Sequence, residues 1–163
     1  MLKGTRNTVA WASAGHGVAA YDIALNFAQR RTQFGRPIAK NQLIQSMLVE
    51  MLGEVTAMQL YCIRLGRLID DGKMNDTRAA LAKYFCSVKA LHVCRLARDT
   101  LGGNGILLDF HVMRHLCDME SLITYEGTAE IQTLIVGATS PGKAPSPDAI
   151  RFRRGQRWGV TLR

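Results

Sequence analysis

The run best equipped for chemistry is Tyr125-Glu126-Gly127-Thr128. A carboxylate stands there beside a glycine, with Leu122, Ile123 and Tyr125 as apolar company. A carboxyl enclosed among apolar groups takes up a proton near neutral pH, which suits a general base. The start of a helix pulls the other way and holds the carboxylate charged. A helix-capping acid is the ordinary alternative, and the residue types alone favour it. Gly102-Gly103-Asn104-Gly105 comes second, because clustered glycines let a backbone approach a ligand or another chain closely. They also end helices, and again the letters alone favour that use. His111 and His115 are four apart, a spacing that can set two metal ligands on one helix face. No third ligand stands near with useful spacing, Asp109 and Asp118 read as ordinary surface acids, and no metal is expected. Gly15-His16-Gly17-Val18-Ala19-Ala20 has the letters of a dinucleotide fingerprint but lacks the preceding strand that mechanism needs. Inside an Ala-rich helical pattern, small residues serve close helix packing instead.

Helices must position these groups. Residues 5–31 read as an Ala-rich helix that ends at Arg30-Arg31-Thr32-Gln33-Phe34-Gly35, with Pro37 behind it as a stop. Asn41 can cap a second helix running to about Asp71. Its apolar positions, Ile44, Leu48, Met51, Val55, Met58, Cys62, Leu65 and Ile69, step alternately by 4 and 3, a seam that must face other helices. Asn75 or Asp76 can cap a third helix ending near Leu101. Shorter helices are expected over roughly 109–120 and 126–137. Few segments alternate with period 2, so strands are not expected. The pattern predicts an all-α fold, an antiparallel (up-down-up-down) four-helix bundle with short connections.

The chain has 163 residues, 47% hydrophobic and 21% charged. That suits one soluble domain with a substantial core and excludes a disordered chain. No run of 18 apolar residues exists, so no spanning helix is expected. The opening residues show no secretory or other targeting segment. Cys62, Cys86, Cys94 and Cys117 contain no CxxC pair and read as small, reduced core residues. The net charge of +8 is uneven: residues 1–140 carry 15 basic and 12 acidic groups, residues 141–163 six and one. A nucleic-acid face would need basic residues clustered on the fold itself, so none is expected.

Three segments occur together in an order that resembles the C-terminal helical domain of the acyl-CoA dehydrogenases over residues 1–137. They are Arg31-Thr32-Gln33-Phe34-Gly35-Arg36-Pro37 with Gln42, Asp99-Thr100-Leu101-Gly102-Gly103-Asn104-Gly105, and Thr124-Tyr125-Glu126-Gly127-Thr128. Asn41-Gln42-Leu43-Ile44-Gln45, the Asp-Thr-Leu before the glycines and His111-Val112-Met113-Arg114-His115 are most similar to the glutaryl-CoA dehydrogenase branch. The plant peroxisomal short-chain acyl-CoA oxidase is similar around Gly105-Ile106-Leu107.

The resemblance implies an FAD-dependent oxidoreductase acting on glutaryl-CoA or a short-chain acyl-CoA. A Glu at the position of Glu126 removes the α-proton while the β-hydride passes to FAD. The charge growing on the thioester oxygen needs donors, which the family takes from the N–H of that Glu and a flavin ribityl hydroxyl. By the same resemblance Gly127 leaves room for the thioester, Arg6 lines the acyl-CoA site, and Thr128 and Glu130 face the flavin. Arg31 and Gln42 contact FAD with Phe34 packed nearby, and the Arg fork suits a pyrophosphate. Asp99, Thr100, Leu101, Gly102 and Gly103 meet the FAD of a neighbouring subunit, Asp99 standing where many members have Gln. A homo-dimer or tetramer, an electron-transfer flavoprotein as acceptor, and a bacterial cytoplasm or mitochondrial matrix are implied too.

Against the family pattern the sequence is expected to start inside the domain's first helix and to lack the N-terminal helical and middle β-domains. Alone the chain is expected to be inactive, because a base without its flavin and substrate walls has nothing to act on. After Ile135-Val136-Gly137 that branch typically continues Arg-Asp-Ile-Thr-Gly-x-Ser-Ala-Phe, whereas this chain reads Ala138-Thr139-Ser140-Pro141-Gly142-Lys143-Ala144-Pro145-Ser146. Codons for Gly-Arg-Asp-Ile-Thr-Gly-Lys-Ser-Ala-Phe, with one base dropped from the first, encode the observed run. Residues 138–163 are therefore expected to be an irregular basic tail read out of frame. Resequencing that finds no family-like frame beneath it overturns this. A non-enzymatic helical fragment or association module is the alternative. A nucleic-acid binder using the tail would show salt-sensitive binding lost on deleting residues 141–163.

Overall fold

Small side chains decide how the first helix packs. In a computed structural model that describes residues 2–139, with side chains from Gly4 onward, α1 (Leu2–Arg30) buries Ala10, Ala14, Ala20, Ala24 and Ala28 completely or nearly so. At Gly17 an added Cβ would come within 2.7 Å of the Met58 Cε, so the Gly15–Ala20 run is a close-packing surface, not a phosphate loop. A hairpin follows, β1 (Thr32–Gln33) paired antiparallel with β2 (Arg36–Pro37). Then come α2 (Gln42–Asp70), α3 (Asp76–Leu101), α4 (Val112–Thr124) and α5 (Ala129–Ala138). Nearly all of the tail 138–163 lies outside the described residues.

Side-chain pairs establish the directions of the helices. Between α2 and α3, Glu50 meets His92, Glu54 meets Lys89 and Tyr61 stacks on Phe85, so numbers rise on one helix as they fall on the other. Along α1 and the α4 strip, Phe27 meets Phe110, His16 meets His115 and Thr5 meets Glu126, again in opposite sense. On α3 and α4, Lys83 meets Ile123 and Arg95 meets Glu120, also in opposite sense. The four long elements therefore run up-down-up-down as expected, and α3 packs on α1, α2, α4 and α5.

The α2 seam buries Leu48, Met51, Val55, Met58, Cys62 and Leu65, each burial contributing about 1.5–3 kcal/mol for a Leu-sized side chain. Its last member differs, with Leu68 buried and Ile69 exposed. Asn75 rather than Asp76 caps α3, its Oδ1 accepting from the Arg78 N–H at 2.9 Å, a bond worth about 1 kcal/mol.

Other departures are local. The hairpin was not expected, because two-residue strands leave no alternation to read. Its signal is the loop, where Phe34 (φ 55°) and Gly35 (φ 76°) form the positive-φ pair of a type I′ turn. Helix α4 starts at Val112 and runs to Thr124, after a 3₁₀ turn over Leu108–Phe110 and His111 at φ 61°. Cys62, Cys86 and Cys94 are buried free thiols, and burial pushes Cys94 up to about 12. Cys117 is exposed. Among the described residues no helix is long and apolar enough to cross a membrane.

Candidate active site

Glu126 stands in a turn and not, as expected, at the start of a helix. Helix α4 ends at Thr124, Tyr125 is extended, and α5 begins only at Ala129 with Thr128 as its N-cap. Between them Glu126 has φ 58° and Gly127 φ 90°. A left-handed conformation at a non-glycine residue costs on the order of 1–3 kcal/mol and persists only where its surroundings enforce it.

Two fully buried side chains enforce it. Gln132 donates from Nε2 to the carbonyls of Glu126 (3.0 Å) and Gly127 (2.9 Å). Lys83 donates from Nζ to the carbonyls of Gly127 (2.6 Å) and Ile123 (2.9 Å). Burial and the nearby Arg6 hold Lys83 below the usual lysine range, against the opposite pull of Glu126 and Glu130. Neither residue was singled out from the sequence. The available signal was a lysine in the apolar row Ala79, Lys83, Cys86, Ala90, which a solvated cation does not occupy.

The Glu126 side chain is half-buried, and the Thr5 hydroxyl donates to its Oε2 at 2.9 Å. Gly127 leaves no room for a side chain, since a Cβ would come within 2.6 Å of the Gln132 Nε2. Arg6 is buried, and among the described residues its Nε has no hydrogen-bond partner, nor has the Gln132 Oε1. Glu130 is held below the usual carboxylate range by the Thr128 hydroxyl, its own backbone N–H and Lys83. Glu126, Gly127, Thr128, Glu130 and Arg6 are thus brought together.

The other expected residues lie at the opposite end of the bundle. Arg31, Phe34 and Gln42 are exposed on the hairpin and the first turn of α2, Phe34 to 93%. The Thr100 hydroxyl lies 3.6 Å from the Met47 sulfur, which ties the end of α3 to the start of α2. Thr100 and Leu101 are core residues, the Thr100 hydroxyl donating back to the Leu96 carbonyl at 2.8 Å. Asp99 is exposed and pairs with Arg98. Gly102 and Gly103 are exposed, with nothing within 4 Å of an added Cβ. Thr5 and Arg30 are 25 residues apart on α1, roughly 38 Å at the helical rise. That exceeds the length of an extended dinucleotide cofactor, so the two groups do not form one site within one chain.

The family model "Acyl-CoA dehydrogenase, C-terminal domain" matches residues 1–140. This chain belongs to the acyl-CoA dehydrogenase family. It is 35% identical over 130 residues to the 3-(aryl)acrylate reductase of Clostridium sporogenes, covering 80% of this chain and 34% of that protein. It is 36% identical over 127 residues to the human mitochondrial short-chain specific acyl-CoA dehydrogenase, covering 77% and 31%. Among solved structures, glutaryl-CoA dehydrogenase from Mycobacterium smegmatis in complex with FADH2 superposes with a TM-score of 0.84 at 31% identity, over 89% of this chain and 38% of that one. The chain spans about a third of the length of these two relatives.

Proposed function

We propose that the chain is the C-terminal helical domain of an FAD-dependent acyl-CoA dehydrogenase, and that Glu126 takes the α-proton of a glutaryl-CoA or short-chain acyl-CoA thioester. The observation that carries this is the strained, doubly clamped turn that presents a half-buried carboxylate beside Thr5. Bound FAD would supply the hydride acceptor for the β-position. Lys83 and Gln132 hold the Glu126 and Gly127 carbonyls, which fixes the turn that carries the carboxylate. The Glu126 N–H is the donor proposed for the thioester oxygen, and fixed donors need no reorganisation as charge develops. The missing side chain at Gly127 lets the Gln132 amide pack against the turn. The unpartnered Arg6 Nε suits an oxygen acceptor arriving with the substrate.

The hairpin end fits a dinucleotide in another way. Exposed Arg31 offers a guanidinium fork for a diphosphate, Phe34 an aromatic surface, Gln42 an amide, and Gly102-Gly103 an open backbone. Its distance from Glu126 supports the reading that it serves the FAD of a second copy, as in a homo-dimer or tetramer. Val49, Leu52, Leu60 and Ile63 form an exposed apolar strip on one face of α2 that suits such association. An electron-transfer flavoprotein is the proposed acceptor, and an oxidase-like discharge of the flavin to oxygen is the enzymatic alternative.

A chimera tests this, with residues 1–137 replacing the matching part of the M. smegmatis glutaryl-CoA dehydrogenase. The expected result is flavin bleaching on adding glutaryl-CoA or butyryl-CoA, abolished by Glu126→Gln with flavin and ligand still bound. Bleaching that survives Glu126→Gln, or none from a chimera that binds both, overturns the assignment.

A further inference from the structure

We propose that His16, His115 and Asp118 form a binding site for one divalent transition-metal ion of the zinc type, which braces α1 against α4. The Nδ1 atoms of His16 and His115 lie 2.9 Å apart, contributed by residues 99 apart in sequence. One ligand atom from each of the three residues falls within 4.8 Å of the others. Two imidazole nitrogens on a tetrahedral ion at about 2.0–2.1 Å would stand about 3.3 Å apart, with ring centroids about 5.2 Å apart. The observed centroids are 5.1 Å apart with the rings at 74°. A collinear N–H···N hydrogen bond gives nearly the same centroid spacing, so an ion binds only after the two nitrogens part by about 0.4 Å and each ring turns by roughly 35° toward a common point.

Asp118 lies one helical turn beyond His115, so its carboxylate can close over the same point from α4. The two imidazoles are half-buried and Asp118 is exposed, which leaves the fourth position open to water. Two nitrogens and one carboxylate oxygen suit Zn²⁺, Co²⁺ or Ni²⁺ and not Ca²⁺ or Mg²⁺, which take oxygen ligands. His111, which the i,i+4 spacing paired with His115, is not a member of the cluster. His16 is eleven residues from Thr5 on α1, roughly 16 Å, so the ion takes no part in proton transfer at Glu126. Its effect is to cross-link the first helix to the fourth.

The test is titration of the EDTA-treated chain with Zn²⁺ by calorimetry, with Co²⁺ absorption as a report on geometry. One equivalent per chain, a higher Tm with zinc and a tetrahedral cobalt spectrum are expected. His16→Gln and Asp118→Asn, shown folded by circular dichroism, should each weaken zinc about tenfold or more, while His111→Ala and Cys117→Ser leave it unchanged. Failure of the native chain to bind zinc overturns the proposal, and the His16–His115 contact is then an N–H···N hydrogen bond. Binding that survives His16→Gln and is lost in Cys117→Ser overturns it equally, because the exposed thiol would be the ligand.

Discussion

The two ends of this bundle are built on opposite plans. At the Glu126 end a strained turn is gripped from inside by Lys83 and Gln132, both fully buried and both bonded to backbone carbonyls. At the hairpin end Arg31, Phe34, Gln42, Gly102 and Gly103 face outward, and the glycines stand in open space. A group that must be aimed within a fraction of an ångström needs a rigid internal support. Groups that receive a ligand or a second chain need free surface instead, and their order comes on binding.

Substitutions can break that contrast, and the largest effect is expected at Lys83. Lys83→Met leaves the Ile123 carbonyl without its side-chain donor and the Gly127 carbonyl with Gln132 alone, at a cost of about 2–4 kcal/mol in urea denaturation. A loss below about 0.5 kcal/mol would mean the clamp is not structural. Gly127→Ala should cost about 2 kcal/mol, since it combines φ 90° with a Cβ against Gln132. Glu126→Gly should do the reverse, relieving the left-handed strain for a gain of up to about 1 kcal/mol while removing the proposed base. A less stable Glu126→Gly would show that the Thr5 hydrogen bond outweighs the strain.

The hairpin end should respond in the opposite currency. Arg31→Ala and Phe34→Ala are expected to change stability by less than about 0.5 kcal/mol, yet to weaken FAD retention in the assembled chimera. If they unfold the chain, this end is structural and the contrast fails. The smallest effect is a pH dependence. The Glu130 carboxyl lies below its unfolded range, so its contribution is present above the unfolded value near 4.3 and fades as pH falls through the folded one. Glu130→Gln should therefore slightly flatten the acid limb of a Tm-against-pH curve. An unchanged limb would place Glu130 outside the Lys83 and Thr128 network.

Much of this was legible locally. The 4–3 stepping of α2, the Asn75 cap, the stop at Gly102 and the turn at Phe34-Gly35 depend on neighbours within a few residues, and the sequence states those directly. So do the motifs that mark the family. The start of α5 was misplaced by three residues because Glu126 imitates a helix-capping acid, while its left-handed conformation is imposed by Gln132 and Lys83 from elsewhere.

By itself, then, the sequence determined the helices, their order and direction, the family and the residues that carry its motifs. Only the tertiary structure decided that these residues divide between two ends roughly 38 Å apart, and that Lys83 buries its ammonium under the Glu126 turn. The same holds for His16, which reaches His115 across 99 residues. Periodicity is set by 3.6 residues per turn and can be read along the chain. Which faces meet is set by packing among helices distant in sequence, as where Gly17 lets α1 lie close against Met58 of α2 and Ala90 of α3.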